Sequence, residues 1–139
     1  MKSQAGFTFT ELLTVVTVMA MLAAVAVPRY AMINSDTRGQ AVRLLAANVT
    51  SSARLSNKVW KATGQPMRLT LDGRSVDMLY GYPTDTSIAD LVVMNDEFAF
   101  AEGYWKHSDS AAGQGCAVLY IPPPNPEAEA TVFSYTDGC

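Results

Sequence analysis

The chain has 139 residues and a formal net charge of −3, and 17% of its residues are charged, against roughly 25% in an average soluble domain. Its length allows one domain with a modest core once the apolar N-terminal segment is set aside. Basic residues are outnumbered overall, and those in the middle of the chain fall largely on one helix, which argues against nucleic acid as the main partner.

The N-terminus combines a short charged leader with a long apolar segment. Residues 12–27 carry no charge, and counted from Phe7 the segment has 21 residues, close to the ~20 that cross a ~30 Å hydrocarbon layer as a helix. A secretory signal peptide has its small-residue cleavage site after the apolar block, whereas Gly6 precedes it here. A cut after Gly6 therefore removes the leader and keeps the apolar segment in the finished protein.

Glu11 is a carboxylate near the start of this apolar helix. Left unpaired near the middle of a bilayer it costs on the order of 3 kcal/mol, and less near an end. One interpretation places it among the lipid headgroups, stabilised by the positive end of the helix. The other pairs it with the α-amino group of Phe7 that cleavage frees, in the same chain or in a neighbouring copy. We favour the pairing, which between copies sets their register.

Threonines follow one stripe of the same helix, at positions 10, 14 and 17. We expect each hydroxyl to donate to the carbonyl one turn earlier, because that bond satisfies it in lipid. Packing between helices through these small polar groups is the alternative.

The helix is predicted to continue beyond the apolar segment. Pro28 is expected to kink it rather than end it. Apolar residues then recur at three- and four-residue steps, which predicts an amphipathic helix that packs on a soluble domain. This helix should end near Ala62, before stop signals at residues 63–66. The predicted buried stripe contains Val42, Leu45, Ala46, Val49, Ala53 and Ser56.

Strand patterns begin after Pro66. Residues 67–71 alternate, Asp72-Gly73 is a tight-turn pair, and residues 76–80 are predicted as the returning strand. Residues 81–83 are expected to break that strand, and residues 84–87 to cap a short helix that carries Ile88.

The remaining segments predict an antiparallel arrangement. Single strands are predicted at residues 98–105, 116–121 and 130–135. Residues 107–115 are expected to form a loop, and the proline-rich residues 122–126 a stiff connector. The predicted fold class is therefore α+β, with a long N-terminal helix packed on a small antiparallel sheet.

Charge is distributed unevenly along the chain. Eight basic and two acidic residues lie between Arg29 and Arg74, whereas ten acidic residues and only Lys106 as a base lie from Ser75 onward. This asymmetry has two interpretations, ion pairing within the chain or head-to-tail association between copies.

Two cysteines, Cys116 and Cys139, suit a single disulfide that closes a terminal loop, and two free thiols are the alternative. Their spacing with the lone His107 matches no zinc pattern, so no metal site is predicted. His107, Ser108 and Asp109 are neighbours in a loop and do not by themselves make a catalytic triad, and no enzyme activity or cofactor is predicted. Several aromatic residues suit either core packing or a sugar-binding surface: Tyr80, Tyr82, Tyr104 and Trp105.

The N-terminal residues resemble the class III signal of type IV prepilins. The resemblance rests on Gly6/Phe7-Thr8-Phe9-Thr10-Glu11-Leu12-Leu13 and on the apolar helix with Pro28. It implies cleavage between Gly6 and Phe7 by a membrane peptidase, methylation of Phe7, an assembly role for Glu11 and a helix kink at Pro28. Phe9 and Thr10 replace the family's usual leucine and isoleucine.

Residues 76–83, the helix at residues 34–61 and the cysteine pair are similar to mannose-sensitive haemagglutinin (MSHA)-type pilins. The resemblance implies a leader at residues 1–6, a filament-core helix at 7–33 and a head at 34–139. It also implies an inner-membrane subunit that polymerises into a surface fibre for attachment, with twitching motility or DNA uptake as further roles. The implied partners are identical subunits, the prepilin peptidase, a cytoplasmic ATPase with its inner-membrane platform, and a host-surface or glycan receptor.

Two alternatives share parts of this pattern. A type II secretion pseudopilin has the same N-terminal signal, and a calcium site in the C-terminal loop would favour it. A signal-anchored periplasmic domain that never polymerises leaves the arrangement of Gly6, Phe7 and Glu11 unexplained.

Overall fold

The computed structural model describes residues 8–94, 96–110 and 115–139, without the side chains of residues 30–32. Within these residues one long helix, α1 (Phe9–Ala62), precedes seven strands and one short 3₁₀ helix. The chain divides into two compact units between Asp36 and Thr37. The α+β fold class predicted from the sequence is confirmed.

The first unit contains the beginning of α1. The helix is long and apolar enough to cross a membrane, judged by length and composition. Pro28 lies inside α1, as expected of a proline that does not end the helix. The kink at Pro28 stays a prediction.

The second unit, Thr37–Cys139, is called the head below. The stripe predicted on α1 packs into its core: Val42, Leu45, Val49, Ala53 and Ser56 are buried, and Ala46 is partly buried. The helix ends at Ala62, as predicted. The amide of Gln65 donates to the carbonyl of Trp60 at 3.0 Å, and Gly64 has φ of +85°, so the end is a Schellman-type cap.

A three-stranded antiparallel sheet follows, with β1 (Arg68–Leu71), β2 (Arg74–Leu79) and β3 (Tyr82–Pro83) in that order. The hairpin at Asp72-Gly73 is confirmed. The expected break is confirmed, because β2 ends at Leu79 and Gly81 lies in a turn. The strand after it was not predicted: Tyr82 pairs with Leu79 across this second two-residue turn. Tyr80 and Gly81 both have positive φ, which is the conformation that such a turn requires.

The predicted short helix is a 3₁₀ helix, Ser87–Leu91, in which Ile88 is buried. Its expected side-chain cap takes the form of a bond from the Ser87 amide to the Thr84 hydroxyl at 3.3 Å. Thr86, directly before the helix, makes no capping bond with its side chain.

A four-stranded antiparallel sheet completes the head. Its strands are β4 (Phe98–Ala101), β5 (Tyr104–His107), β6 (Ala117–Ile121) and β7 (Thr131–Tyr135), in sequential order. The single strand predicted at residues 98–105 is wrong, because Glu102 and Gly103 adopt positive φ and reverse the chain. β6 and β7 confirm the last two predicted strands to within a residue.

The core lies between the head's part of α1 and one face of the four-stranded sheet. Phe98, Trp105, Val118 and Tyr120 supply the sheet side of it. The Tyr120 hydroxyl donates to the carbonyl of Pro83 at 2.7 Å and thereby joins β6 to β3.

Candidate functional site

The sequence assigns the N-terminal site to Gly6, Phe7 and Glu11. Gly6 and Phe7 lie outside the described residues, so their cleavage and methylation stay predictions. Glu11 lies in the first turn of α1.

The Glu11 carboxylate takes part in a capping box with Thr8. Its Oε2 atom accepts hydrogen bonds from the backbone N–H and from the hydroxyl of Thr8, both at 2.8 Å. In return, the Thr8 hydroxyl oxygen accepts the backbone N–H of Glu11 at 3.3 Å. Reciprocal bonds of this kind satisfy amide groups that the first turn of a helix leaves without partners. Glu11 therefore helps to start the helix within its own chain.

Sequence reasoning missed this capping box, although its signal is visible. Thr8-Phe9-Thr10-Glu11 has the pattern of serine or threonine, two residues and glutamate before an apolar run. The prediction that threonine hydroxyls of this stripe donate to a carbonyl one turn earlier is confirmed for Thr14 and Thr17. The Thr14 hydroxyl donates to the carbonyl of Glu11 at 2.8 Å, and that of Thr17 to the carbonyl of Leu13 at 2.7 Å.

The apolar part of α1 has its side chains exposed in the single chain. Burying one such side chain contributes roughly 1.5–3 kcal/mol, so covering the whole set is worth on the order of 20 kcal/mol. This exceeds the ~5–15 kcal/mol that stabilises an entire domain, so the segment requires an apolar surrounding, either lipid or other helices. The large exposed residues are Phe9, Leu12, Leu13, Val15, Val16, Val18, Met19, Met21, Leu22, Val25 and Val27.

The predicted disulfide is confirmed between Cys116 and Cys139, whose Cα atoms lie 4.7 Å apart. The backbone around it is tied to the rest of the head. The amide of Gly138 donates to the carbonyl of Gly115 at 2.9 Å, and Nε of Arg38 on α1 donates to the carbonyl oxygen of Cys139 at 2.7 Å. The bridge and Arg38 therefore hold the segment after β7 against β6 and α1.

His107 does not form a triad with its sequence neighbours. It is buried at the end of β5, and its Nδ1 accepts the backbone N–H of Asp109 at 3.2 Å. The Ser108 hydroxyl donates instead to the carbonyl of Asp96 at 3.5 Å. Over residues 8–94, 96–110 and 115–139, no group of three or more histidine, cysteine or acidic side chains is placed to bind a metal.

The four aromatic residues considered for a sugar surface do not form one surface. Tyr80 and Tyr82 line one cavity together with Trp60, whereas Tyr104 and Trp105 do not line it. Trp105 and Tyr82 are buried in the core. Tyr80 lies in the β2–β3 turn and is exposed, and Tyr104 lies half-buried on β5. Core and hairpin packing therefore accounts for most of the set.

Comparison with known proteins gives one finding, at the N-terminus. Residues 1–27 match the family model described as the prokaryotic N-terminal methylation motif. No curated protein and no solved structure matches the chain. The matched motif supports a structural subunit of the type IV pilin or pseudopilin kind, processed by prepilin peptidase and anchored in the membrane before assembly.

Proposed function

We propose that this chain is a pilin that polymerises into a type IV pilus used for surface attachment. The observation that carries the proposal is the match of residues 1–27 to the N-terminal methylation motif, on a helix whose apolar side chains need an apolar surrounding. The proposal includes a head similar to that of MSHA-type pilins and a host-surface or glycan receptor for attachment. It also includes twitching motility and DNA uptake as further roles of the fibre.

Each segment of the chain has its own role in this proposed function. Residues 1–6 are the leader, residues 7–33 anchor the precursor in the inner membrane and later form the filament core, and residues 34–139 form the globular domain, which contains the head. Prepilin peptidase cuts between Gly6 and Phe7 and methylates Phe7. An assembly ATPase and its inner-membrane platform move the anchor from lipid into a bundle of identical helices, so apolar burial is kept throughout.

Glu11 has two successive roles in this proposal. In the precursor it caps its own helix through Thr8. After cleavage it pairs with the Phe7 amine of a neighbouring copy, and an unmatched buried charge penalises every other register.

The test compares two substitutions of Glu11. Glu11→Ala removes both the charge and the cap, whereas Glu11→Gln removes the charge and keeps a side chain that suits a capping box. Both variants should be processed and membrane-bound, and both should lose most fibre incorporation, measured by electron microscopy of sheared fibres. Normal fibres from Glu11→Gln would refute the charge pairing and leave capping as the role of Glu11.

The cleavage site is tested by Gly6→Leu, which should leave only full-length precursor in mass spectra of the N-terminus. Mature-sized protein in that background would contradict the assigned site. A type II secretion pseudopilin is the second candidate, because the matched motif supports both kinds of subunit. Loss of protein secretion without loss of surface fibres on deletion would favour it, and an uncut monomer without fibres would favour an anchored periplasmic domain.

A further inference from the structure

A cavity opens in the head where the end of α1 meets the β2–β3 turn. Its volume is about 570 Å³, within the ~300–1,000 Å³ that is typical of small-molecule sites. Trp60 of α1 lines it, Tyr80 and Tyr82 line it from the turn, and Pro126 comes from the proline-rich connector. Three separate parts of the chain therefore build the cavity, and three aromatic side chains lie in its wall.

The aromatic wall is held in place by its surroundings. The Trp60 indole N–H donates to the carbonyl of Pro66 at 2.8 Å, and this bond fixes the ring. Tyr80 and Gln65, which also line the cavity, have positive φ of 50° and 61°. Such strained backbone clusters at ligand sites. A wall that is already ordered loses little conformational entropy when a ligand binds to it.

Asn57 gives the cavity an unused hydrogen-bond acceptor. The residue is 7% exposed, and its Nδ2 donates to the carbonyl of Gly81 at 2.7 Å. Its Oδ1 atom accepts no hydrogen bond from the residues that the structure describes. Within the same residues every fully buried side-chain oxygen has a partner, so this oxygen is open rather than sealed in the core. Asn57 therefore offers an acceptor to a ligand that carries hydroxyl groups.

The charge around the cavity is positive. Lys61 is the only charged residue among the described residues that line it. A smaller neighbouring cavity, which also contains Asn57, adds two bases and one acid. These are Arg54, Lys58 and Glu129. A positive wall repels an amine or a quaternary ammonium group and attracts a carboxylate.

The backbone at the cavity is already paired. The amide of Met78 donates to the carbonyl of Met67 at 2.9 Å. The strand β2 lies between β1 and β3, so it offers no free edge to which an extended peptide could add. The groups that remain for a ligand are the side-chain amides of Asn57 and Gln65 and the ammonium group of Lys61. Amides both donate and accept, as hydroxyl groups do.

We propose that this cavity binds an acidic oligosaccharide, a chain of sugar rings that bears a carboxylate. The apolar C–H face of a sugar ring packs on Trp60 and Tyr80. Its hydroxyl groups bond to Asn57 and Gln65, and its carboxylate pairs with Lys61. The proposal rests on the proposed function, since it names the chemical class of the receptor to which the fibre attaches.

The test is a two-dimensional NMR titration of the full-length, ¹⁵N-labelled chain in micelles of lauryldimethylamine oxide, a detergent without sugar. The chain has two tryptophans, and the buried Trp105 is the internal reference for the indole signal of Trp60. Sialyllactose and trigalacturonate, which carry carboxylates from two different kinds of glycan, should shift the Trp60 signal saturably. Lactose, which lacks a carboxylate, should bind about tenfold more weakly than sialyllactose.

Two substitutions with matched controls identify the binding groups. Lys61→Gln should lower the affinity for sialyllactose about tenfold, whereas Lys106→Gln, on β5 and outside the cavity, should not. Tyr80→Asn removes the ring but keeps a residue that tolerates a left-handed backbone, and it should weaken all three sugars about fivefold. Tyr135→Asn is its control, because both tyrosines are 44% exposed and Tyr135 does not line the cavity.

Two results would overturn the proposal directly: no shift of the Trp60 signal by either acidic sugar, or affinities that Lys61→Gln and Tyr80→Asn leave unchanged. Hexathymidylate and decaproline are titrated in parallel, and tighter binding of either would assign the cavity to nucleic acid or to a peptide instead. Sugar binding by a chain that forms no fibres would refute the pilus function alone. Normal fibres from a chain that binds no sugar would overturn the cavity proposal alone.

Discussion

Gly81→Ala is expected to destabilise the head more than the same substitution at Gly73. Both glycines take the second position of a two-residue hairpin turn, with φ of +87° and +77°. The left-handed backbone therefore lowers the free energy of unfolding by roughly 1–2 kcal/mol for each alanine. The matched positions make this backbone cost cancel in the comparison.

The surroundings of the two glycines differ. A Cβ at Gly81 would lie 2.8 Å from Cε3 of Trp60 and 2.8 Å from Nδ2 of Asn57, whereas one at Gly73 meets nothing within 4 Å. Neither neighbour of Gly81 moves freely. The Trp60 indole N–H donates to the carbonyl of Pro66 at 2.8 Å, and the Asn57 amide donates to the carbonyl of Gly81 at 2.7 Å. Overpacking of this kind adds roughly 1–3 kcal/mol.

The free energy of unfolding is measured by urea titration of the full chain in detergent, followed by tryptophan fluorescence. Gly81→Ala should lower it by roughly 1–3 kcal/mol more than Gly73→Ala. Equal losses at the two positions would refute the reasoning, because the β2–β3 turn would then relax away from α1 without cost.

Three further changes test other parts of the structure. Burial, with smaller contributions from Tyr82 and Asp85, raises the pKa of Tyr120 above its ordinary value near 10. Above about pH 10 the folded head therefore keeps a proton that the unfolded chain releases, so the free energy of unfolding falls as the pH rises. At neutral pH, Tyr120→Phe should lower the free energy of unfolding by about 1 kcal/mol, because the hydrogen bond to Pro83 is lost. In urea titrations the variant should also lose less stability above about pH 10 than the original chain, and equal pH dependence in the two proteins would contradict this. The double substitution Cys116→Ser and Cys139→Ser opens a loop with a sequence separation of 23 and should cost roughly 3 kcal/mol, so an unchanged urea midpoint would argue against a stabilising bridge. Thr8→Ala removes about 1 kcal/mol of capping free energy, so amide hydrogen exchange of residues 9–12 in micelles should become faster. Thr8→Ser keeps the hydroxyl and should leave the exchange rates unchanged. Equal exchange rates in the two variants would count against the cap.

Signals that are local in the chain were enough to predict much of this protein. The end of α1 at Ala62 follows from the stop signals at residues 63–66, and the first hairpin from Asp72-Gly73. The buried stripe on the helix follows from spacing alone, because 3.6 residues per turn bring positions three and four apart to one side. The same is true of the membrane-length segment. The capping box was missed, although its pattern is also local, in the four consecutive residues 8–11.

Turns formed by poor turn residues needed the tertiary structure. Tyr80 and Glu102 have positive φ although neither residue type favours it, so no local pattern predicted β3 or the β4–β5 hairpin. Pairing with neighbouring strands and packing against α1 offset the backbone strain of these turns. Strand register likewise decided which side of the sheet is buried, because a shift of one residue exchanges the two faces. The sequence alone therefore determined the helix, its apolar segment and the N-terminal motif, whereas only long-range packing decided how the strands reverse and which apolar residues stay on the surface.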